Sequence, residues 1–200
     1  MAGPGPVTSV AALVDSIRRS VSAVEDPELP VTIDDLGMIH DIEVEALPDG
    51  LRVLVRLRPT FLGCPARFLI EANVRDRVAA FDGVAGMSVT WESAATWRPD
   101  DISDAGRAKL TEHGVIVDAP GAEHCCPYCG EHDLQLVSER GVALCRRLAY
   151  CPACQSSVDV IGAARGPGTA AVIAPSALWA AVGRRQEPRE EETQACPSRQ

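Results

Sequence analysis

The chain has 200 residues, 46% of them hydrophobic, enough to bury a core and to carry one domain with an appended module. Its 28 acids outnumber 19 bases for a formal net charge of -9, which argues against a surface that gathers nucleic acid or anionic membrane. No basic segment leads into an apolar run near residue 1, and no stretch approaches the ~20 apolar residues of a membrane-spanning helix, so the expected location is the cytoplasm. In that reducing compartment, eight cysteines point to metal ligands or reactive thiols in preference to disulfides.

Between Thr8 and Val24 the apolar residues Val10, Leu13, Val14, Ile17, Val21 and Val24 recur at helical spacing, with Thr8 or Ser9 placed to cap the start. Asp26-Pro27-Glu28-Leu29-Pro30 then stops the helix, because proline lacks an N–H and pushes its predecessor toward extended backbone. Period-two alternation follows twice, over Ile42, Val44 and Ala46 and over Leu51, Val53, Val55 and Leu57, with Pro48-Asp49-Gly50 between as a hairpin turn. The outward residues of the two strands are opposite in charge and should face one another. His40 falls on the inward side of this pattern and is expected to be a core histidine.

Cys64-Pro65 opens a second predicted helix with a stripe of Ala66, Ile70, Val74, Val78 and Phe81. Ala85 to Trp91 forms a third strand, so residues 8 to 91 run α-β-β-α-β and predict a small α+β domain. Residues 92 to 103 read as irregular, Asp104 to His113 as a short helix, and Pro120-Gly121 as the boundary to a second module.

That module holds Cys126-Pro127-Tyr128-Cys129-Gly130 and Cys151-Pro152-Ala153-Cys154. Four thiolates from two Cys-x-x-Cys pairs suit a closed tetrahedral Zn²⁺ site, which leaves no position for water and is therefore structural. Asp133 to Glu139 and Val142 to Tyr150 are strand-like around Arg140-Gly141, a hairpin that would join the two pairs as a zinc ribbon. His124 and His132 flank the first pair without being needed, and Cys125 and Cys145 are surplus. The predicted organisation is residues 1–122, a ribbon over 123–162, and a tail over 163–200 too poor in core residues to fold, apart from a turn or two of helix over Ser176 to Gly183.

Outside the ribbon, Cys64 is the sharpest candidate for chemistry. A thiol at a helix start faces free N–H groups and the positive end of the dipole, both of which favour thiolate; the alternative is a small buried hydrophobe. Asp26, Glu28, Asp34 and Asp35 could bring one carboxylate to Cys64 if the proline turn folds over the helix start, although an Asp at such a turn more commonly bonds its own backbone. The absence of a phosphate-binding loop or a recognisable Ser-His-Asp arrangement gives independent catalysis little support.

Asp26-Pro27-Glu28-Leu29-Pro30, Asp35-Leu36-Gly37-Met38, Thr60 and Gly63-Cys64-Pro65 together resemble the SufT-type metal-sulfur cluster biosynthesis family. With Trp97, Ile102-Ser103, Gly106, Leu110, Gly114 and the cysteine module added, the chain is similar to the PaaD family, whose members belong to phenylacetyl-CoA epoxidase systems. The resemblance implies an accessory protein that assists iron or iron-sulfur cluster insertion into an oxygenase of aerobic phenylacetate breakdown, with the oxygenase and reductase subunits as partners and a homodimer left open. It further implies Cys64 and Asp35 as the metal- or sulfur-handling residues, Cys126, Cys129, Cys151 and Cys154 as the structural zinc set, and iron or a cluster as a transient guest. A non-catalytic subunit of the oxygenase and a general iron-sulfur assembly factor are the competing readings.

Overall fold

In the computed structural model, residues 10–93, 96–121, 124–141, 143 and 145–162 are described. The chain divides into two units between Gly106 and Arg107, so the expected boundary at Pro120-Gly121 falls inside the second. The capping residues Thr8 and Ser9, the tail over 163–200 and the helical turn expected at Ser176 to Gly183 lie outside the described residues. None of the described helices is long and apolar enough to cross a membrane.

The first unit is built on helix α1 (Val10–Ser22), strands β1 (Ile39–Leu47) and β2 (Gly50–Leu57), helix α2 (Arg67–Ala79) and strand β3 (Val84–Trp91). The sheet order is β1-β2-β3, with β1 and β2 antiparallel across a two-residue turn and β3 parallel to β2. A parallel neighbour requires a crossover, and α2 supplies it. On the central strand, Leu51, Val53, Val55 and Leu57 are buried, as are Ile17, Val21 and Val24 around α1 and Ile70, Val74 and Val78 on α2. Each buried side chain of this kind contributes about 1.5–3 kcal/mol, and the alternation places Arg52 and Arg56 on the other face. There Arg56 meets Asp41 at 2.6 Å and Glu43 at 2.9 Å, which holds the Glu43 carboxyl below its ordinary range. The expected charge pairing across the hairpin is present.

His40 departs from expectation: it is exposed, not a core residue. The β1–β2 register shifts between Ile39, opposite Leu57, and Asp41, opposite Arg56, so His40 is the extra residue of a bulge. The extra residue breaks the alternation that would have turned its ring inward.

The second unit carries a sheet of order β4-β7-β6-β5, built from β4 (Val115–Asp118), β5 (Gln135–Ser138), β6 (Arg146–Cys151) and β7 (Ser156–Gly162). The expected hairpin exists as β5 and β6, but β6 starts at Arg146, because the chain first turns through Ala143 and Arg146, whose N–H donates to the Ala143 carbonyl at 3.0 Å. Two further strands complete the sheet. Of these, β7 pairs antiparallel with β6 and parallel with β4. Arg147, buried on β6, crosses β7 at Gly162 and meets Asp118 of β4 at 2.5 Å. Glycine leaves room for the crossing, since a Cβ at position 162 would stand 2.7 Å from Arg147 Nη2 and 3.0 Å from the Asp118 Cβ and would push the guanidinium aside.

Candidate thiol sites

In the first unit, Cys64 does not begin the helix itself. Helix α2 starts at Arg67, and Cys64 sits in the turn before it, its N–H donating to the Phe61 carbonyl at 3.1 Å. The thiol is half-buried, and the backbone N–H groups of Ala66 and Arg67 are directed at its sulfur. Burial nonetheless dominates and pushes the Cys64 thiol up, and Glu28 and Asp26 push the same way. The free thiol is therefore the resting form, in contrast to the thiolate suggested by its place at a helix start.

The Asp26-Pro27-Glu28 turn folds toward Cys64 closely enough for both carboxylates to act on it, and Asp26 also closes its own turn by accepting the Glu28 N–H at 2.8 Å. Asp35 lies elsewhere on this loop and is held by a second segment. Its carboxylate accepts from Ser103 Oγ at 2.7 Å, its carbonyl accepts from the Ser103 N–H at 2.9 Å, and Ser103 Oγ accepts the Gly106 N–H at 2.9 Å as a cap on helix α3 (Asp104–Glu112). Trp97 Nε1 donates to the Leu36 carbonyl and Arg58 Nε to the Gly37 carbonyl, both at 2.7 Å. The polar groups of Asp35-Leu36-Gly37 are thus engaged by Arg58 and by residues 97–106.

In the second unit, Cys126, Cys129, Cys151 and Cys154 bring their sulfurs within 4.8 Å of one another. The Cys126–Cys154 and Cys129–Cys151 sulfurs are each 3.6 Å apart. A tetrahedron with Zn–S bonds of about 2.3 Å has S···S edges of about 3.8 Å, so four soft donors at this spacing fit zinc. Bound there, the ion would cross-link the two pairs and supply no reactive position. The local backbone explains the convergence. In the first knuckle, Gly130 has φ +80°, its N–H donates to the Cys126 carbonyl at 2.8 Å, and the Cys126 N–H donates to the Glu131 carbonyl at 2.7 Å. In the second, Gln155 takes the equivalent position after the cysteine pair with φ +60°.

Without a cation the sulfurs differ. Burial lifts Cys151 up to about 12 and also raises Cys129, whereas hydrogen bonds from the Ser156 hydroxyl and N–H bring Cys154 down to about 6. His124 and His132 stand outside the cluster, the first 3.2 Å from Asp118 and the second 3.7 Å from Cys125. Cys125 is disulfide-bonded, a departure from the expectation of thiols throughout.

Two features left little trace in the sequence. Phe68 and Leu69, four and five positions after Cys64, lie off the buried stripe of α2 and are exposed, an offset whose only sign is their spacing from Ile70 and Val74. The Arg147–Asp118 pair left no local signal, since its partners are 29 positions apart.

The first unit thus presents a half-buried thiol just ahead of a helix, and the second presents four thiols whose spacing fits zinc. Residues 15–91 match the iron-sulfur cluster assembly protein family and residues 112–162 match the PaaD zinc beta ribbon domain. An Fe-S protein maturation auxiliary factor of Porphyromonas gingivalis is 34% identical over 96 residues, covering 48% of this chain and 89% of that protein. The chain belongs to the iron-sulfur cluster assembly protein family, with a zinc ribbon after the family domain. Another Fe-S protein maturation auxiliary factor, from Bacillus subtilis, is 29% identical over 99 residues, covering 50% of this chain and 94% of its own length. A solved domain of unknown function from Bacillus anthracis is 25% identical, with a TM-score of 0.44 over 50% of this chain and 92% of that one.

Proposed function

We propose that the chain is an auxiliary factor in the maturation of iron-sulfur proteins, in which Cys64 takes up and hands on iron or a cluster and the zinc-held ribbon meets the client. The observation that carries this reading is the setting of Cys64, half-buried, with the N–H groups of Ala66 and Arg67 aimed at its sulfur and Asp26 and Glu28 close by. Burial and the two carboxylates disfavour a bare thiolate. The same carboxylates favour a thiolate that carries a cation, so the proton leaves as metal arrives and returns when metal departs. We assign Asp35 to holding the loop through Ser103 rather than to ligating the cargo, because its carboxylate already accepts the Ser103 hydroxyl.

A narrower version, in which the client is the oxygenase or reductase of a phenylacetyl-CoA epoxidase and the chain serves aerobic phenylacetate catabolism, draws only on the likeness of the ribbon to the PaaD zinc beta ribbon domain. Cells lacking the chain decide between the two. General maturation predicts loss of iron and sulfide from several unrelated cluster enzymes; the narrow version predicts loss from the epoxidase components alone. A chain that stays stoichiometrically in the purified oxygenase and is needed by fully metallated components for each turnover would overturn both and make it a structural subunit.

A further inference from the structure

Six large apolar side chains are conspicuously exposed among the described residues, and three of them, Leu62, Phe68 and Leu69, lie within the eight residues from 62 to 69 that bracket Cys64. Phe68 is 84% exposed, Leu62 63% and Leu69 50%. They do not belong to the buried stripe of α2, which runs through Ile70, Val74 and Val78. Single exposed apolar side chains need no explanation, but three within one loop and the first turn of the helix that follows it are more than scattered exposure. Local structure fixes it in place. Arg67 Nη1 donates to the Leu62 carbonyl at 3.0 Å, tying the loop to the first turn of the helix, and the Arg67 guanidinium stacks over Trp91 at 4.7 Å.

The rim supplies the second half of the argument. Asp26 and Glu28 act electrostatically on Cys64, and the turn that carries them, residues 25 to 30, holds three acids with no Lys or Arg. We propose that Leu62, Phe68 and Leu69 form a docking surface for a polypeptide segment of the client that carries bulky apolar side chains flanked by Lys or Arg. The apolar residues would supply the contact and the acidic rim the orientation, because complementary charge steers encounter and selects register more than it adds affinity. Docking there brings the client to the thiol. The proposal deepens the function given above and rests on it only for the identity of the cargo, not for the binding.

The test uses the full chain and two fluorescein-labelled synthetic peptides, both with Leu-Phe-Leu at the centre, one with Arg pairs at its ends and the other with Glu pairs. Fluorescence anisotropy should show the basic peptide binding about tenfold tighter at low salt, with the gap closing as salt rises. Phe68→Ser and Leu62→Ser should each weaken binding by about threefold to tenfold with unchanged melting, as the side chains are exposed. Glu28→Gln should narrow the gap between the peptides. The bound basic peptide should also slow alkylation of Cys64. Cys64→Ala should bind the peptide as the native chain does, so a failure of docking and a failure of cargo handling read out separately. Equal binding of the two peptides, or full binding by both Ser variants, would overturn the proposal. So would sedimentation showing a dimer that Phe68→Ser dissolves, since a second copy would then cover the surface.

Discussion

Removing zinc from the ribbon should unfold the second unit while leaving the first intact. The apolar core around the thiols consists of Ile116, Cys126, Ala149, Cys151, Val158 and Val160, with Leu134 and Cys154 partly buried against it, so two of its members and one neighbour belong to the four-thiol cluster that fits zinc. Ile116, Val158 and Val160 together contribute about 4.5–9 kcal/mol by burial. A structural zinc site contributes about 10–16 kcal/mol near neutral pH. The metal therefore outweighs the packing, and its loss also leaves the sulfurs of two buried cysteines without a partner cation. Hydrogen exchange followed by mass spectrometry, before and after chelation, reads the outcome by segment. Amides of β6 and β7 should lose protection, and those of β2, whose core side chains are far more numerous, should keep it. Retained protection in β6 and β7 after complete zinc removal would show that the ribbon is held by packing and would refute the reasoning.

Other predictions follow from particular contacts. Zinc uptake should release protons and strengthen as pH rises through neutrality, because Cys151, held up at about 12, and the raised Cys129 must ionise, whereas Cys154, at about 6, already has; calorimetry in buffers of different ionisation heat measures it. Cys64 should alkylate more slowly than an ordinary thiol at neutral pH, speed up only above the usual thiol range, and react faster in Glu28→Gln, since burial and nearby carboxylates hold its proton. Gly162→Ala should cost about 2–4 kcal/mol in chemical denaturation by pushing apart Arg147 and Asp118, with a smaller loss if β7 can shift. Ser103→Ala should cost about 1–2 kcal/mol by removing the α3 cap and the donor to Asp35.

The α-β-β-α-β order, the hairpin and the four-thiol set were legible because each rests on local periodicity or close spacing. The stripe of Ile70, Val74 and Val78 and the alternation of Leu51, Val53, Val55 and Leu57 name their own buried faces. What escaped depends on contacts distant in sequence or on one-residue irregularities. The four-residue β4 gains its meaning only by pairing with β7, more than forty positions later. The bulge that turns out His40 leaves the alternation of its neighbours readable and defeats it at one position. Asp35 could be picked out as polar and interesting, but its partner Ser103 lies 68 positions away. The helix-start argument for Cys64 expected N–H groups to face the sulfur, and the burial and carboxylates raised beside it could not be weighed against them, because their balance depends on how the Asp26-Pro27-Glu28 turn folds over a residue nearly forty positions later.

The central claim is that Cys64 handles the cargo, and the most direct measurement is the iron and sulfide content of iron-sulfur clients purified from cells that lack the chain and are complemented with either the native protein or Cys64→Ala. The account predicts that the native chain restores both contents and that Cys64→Ala does not, although it accumulates to the same level, melts within about 1 kcal/mol of the native protein and carries the same zinc. Full restoration of client iron and sulfide by Cys64→Ala would contradict it.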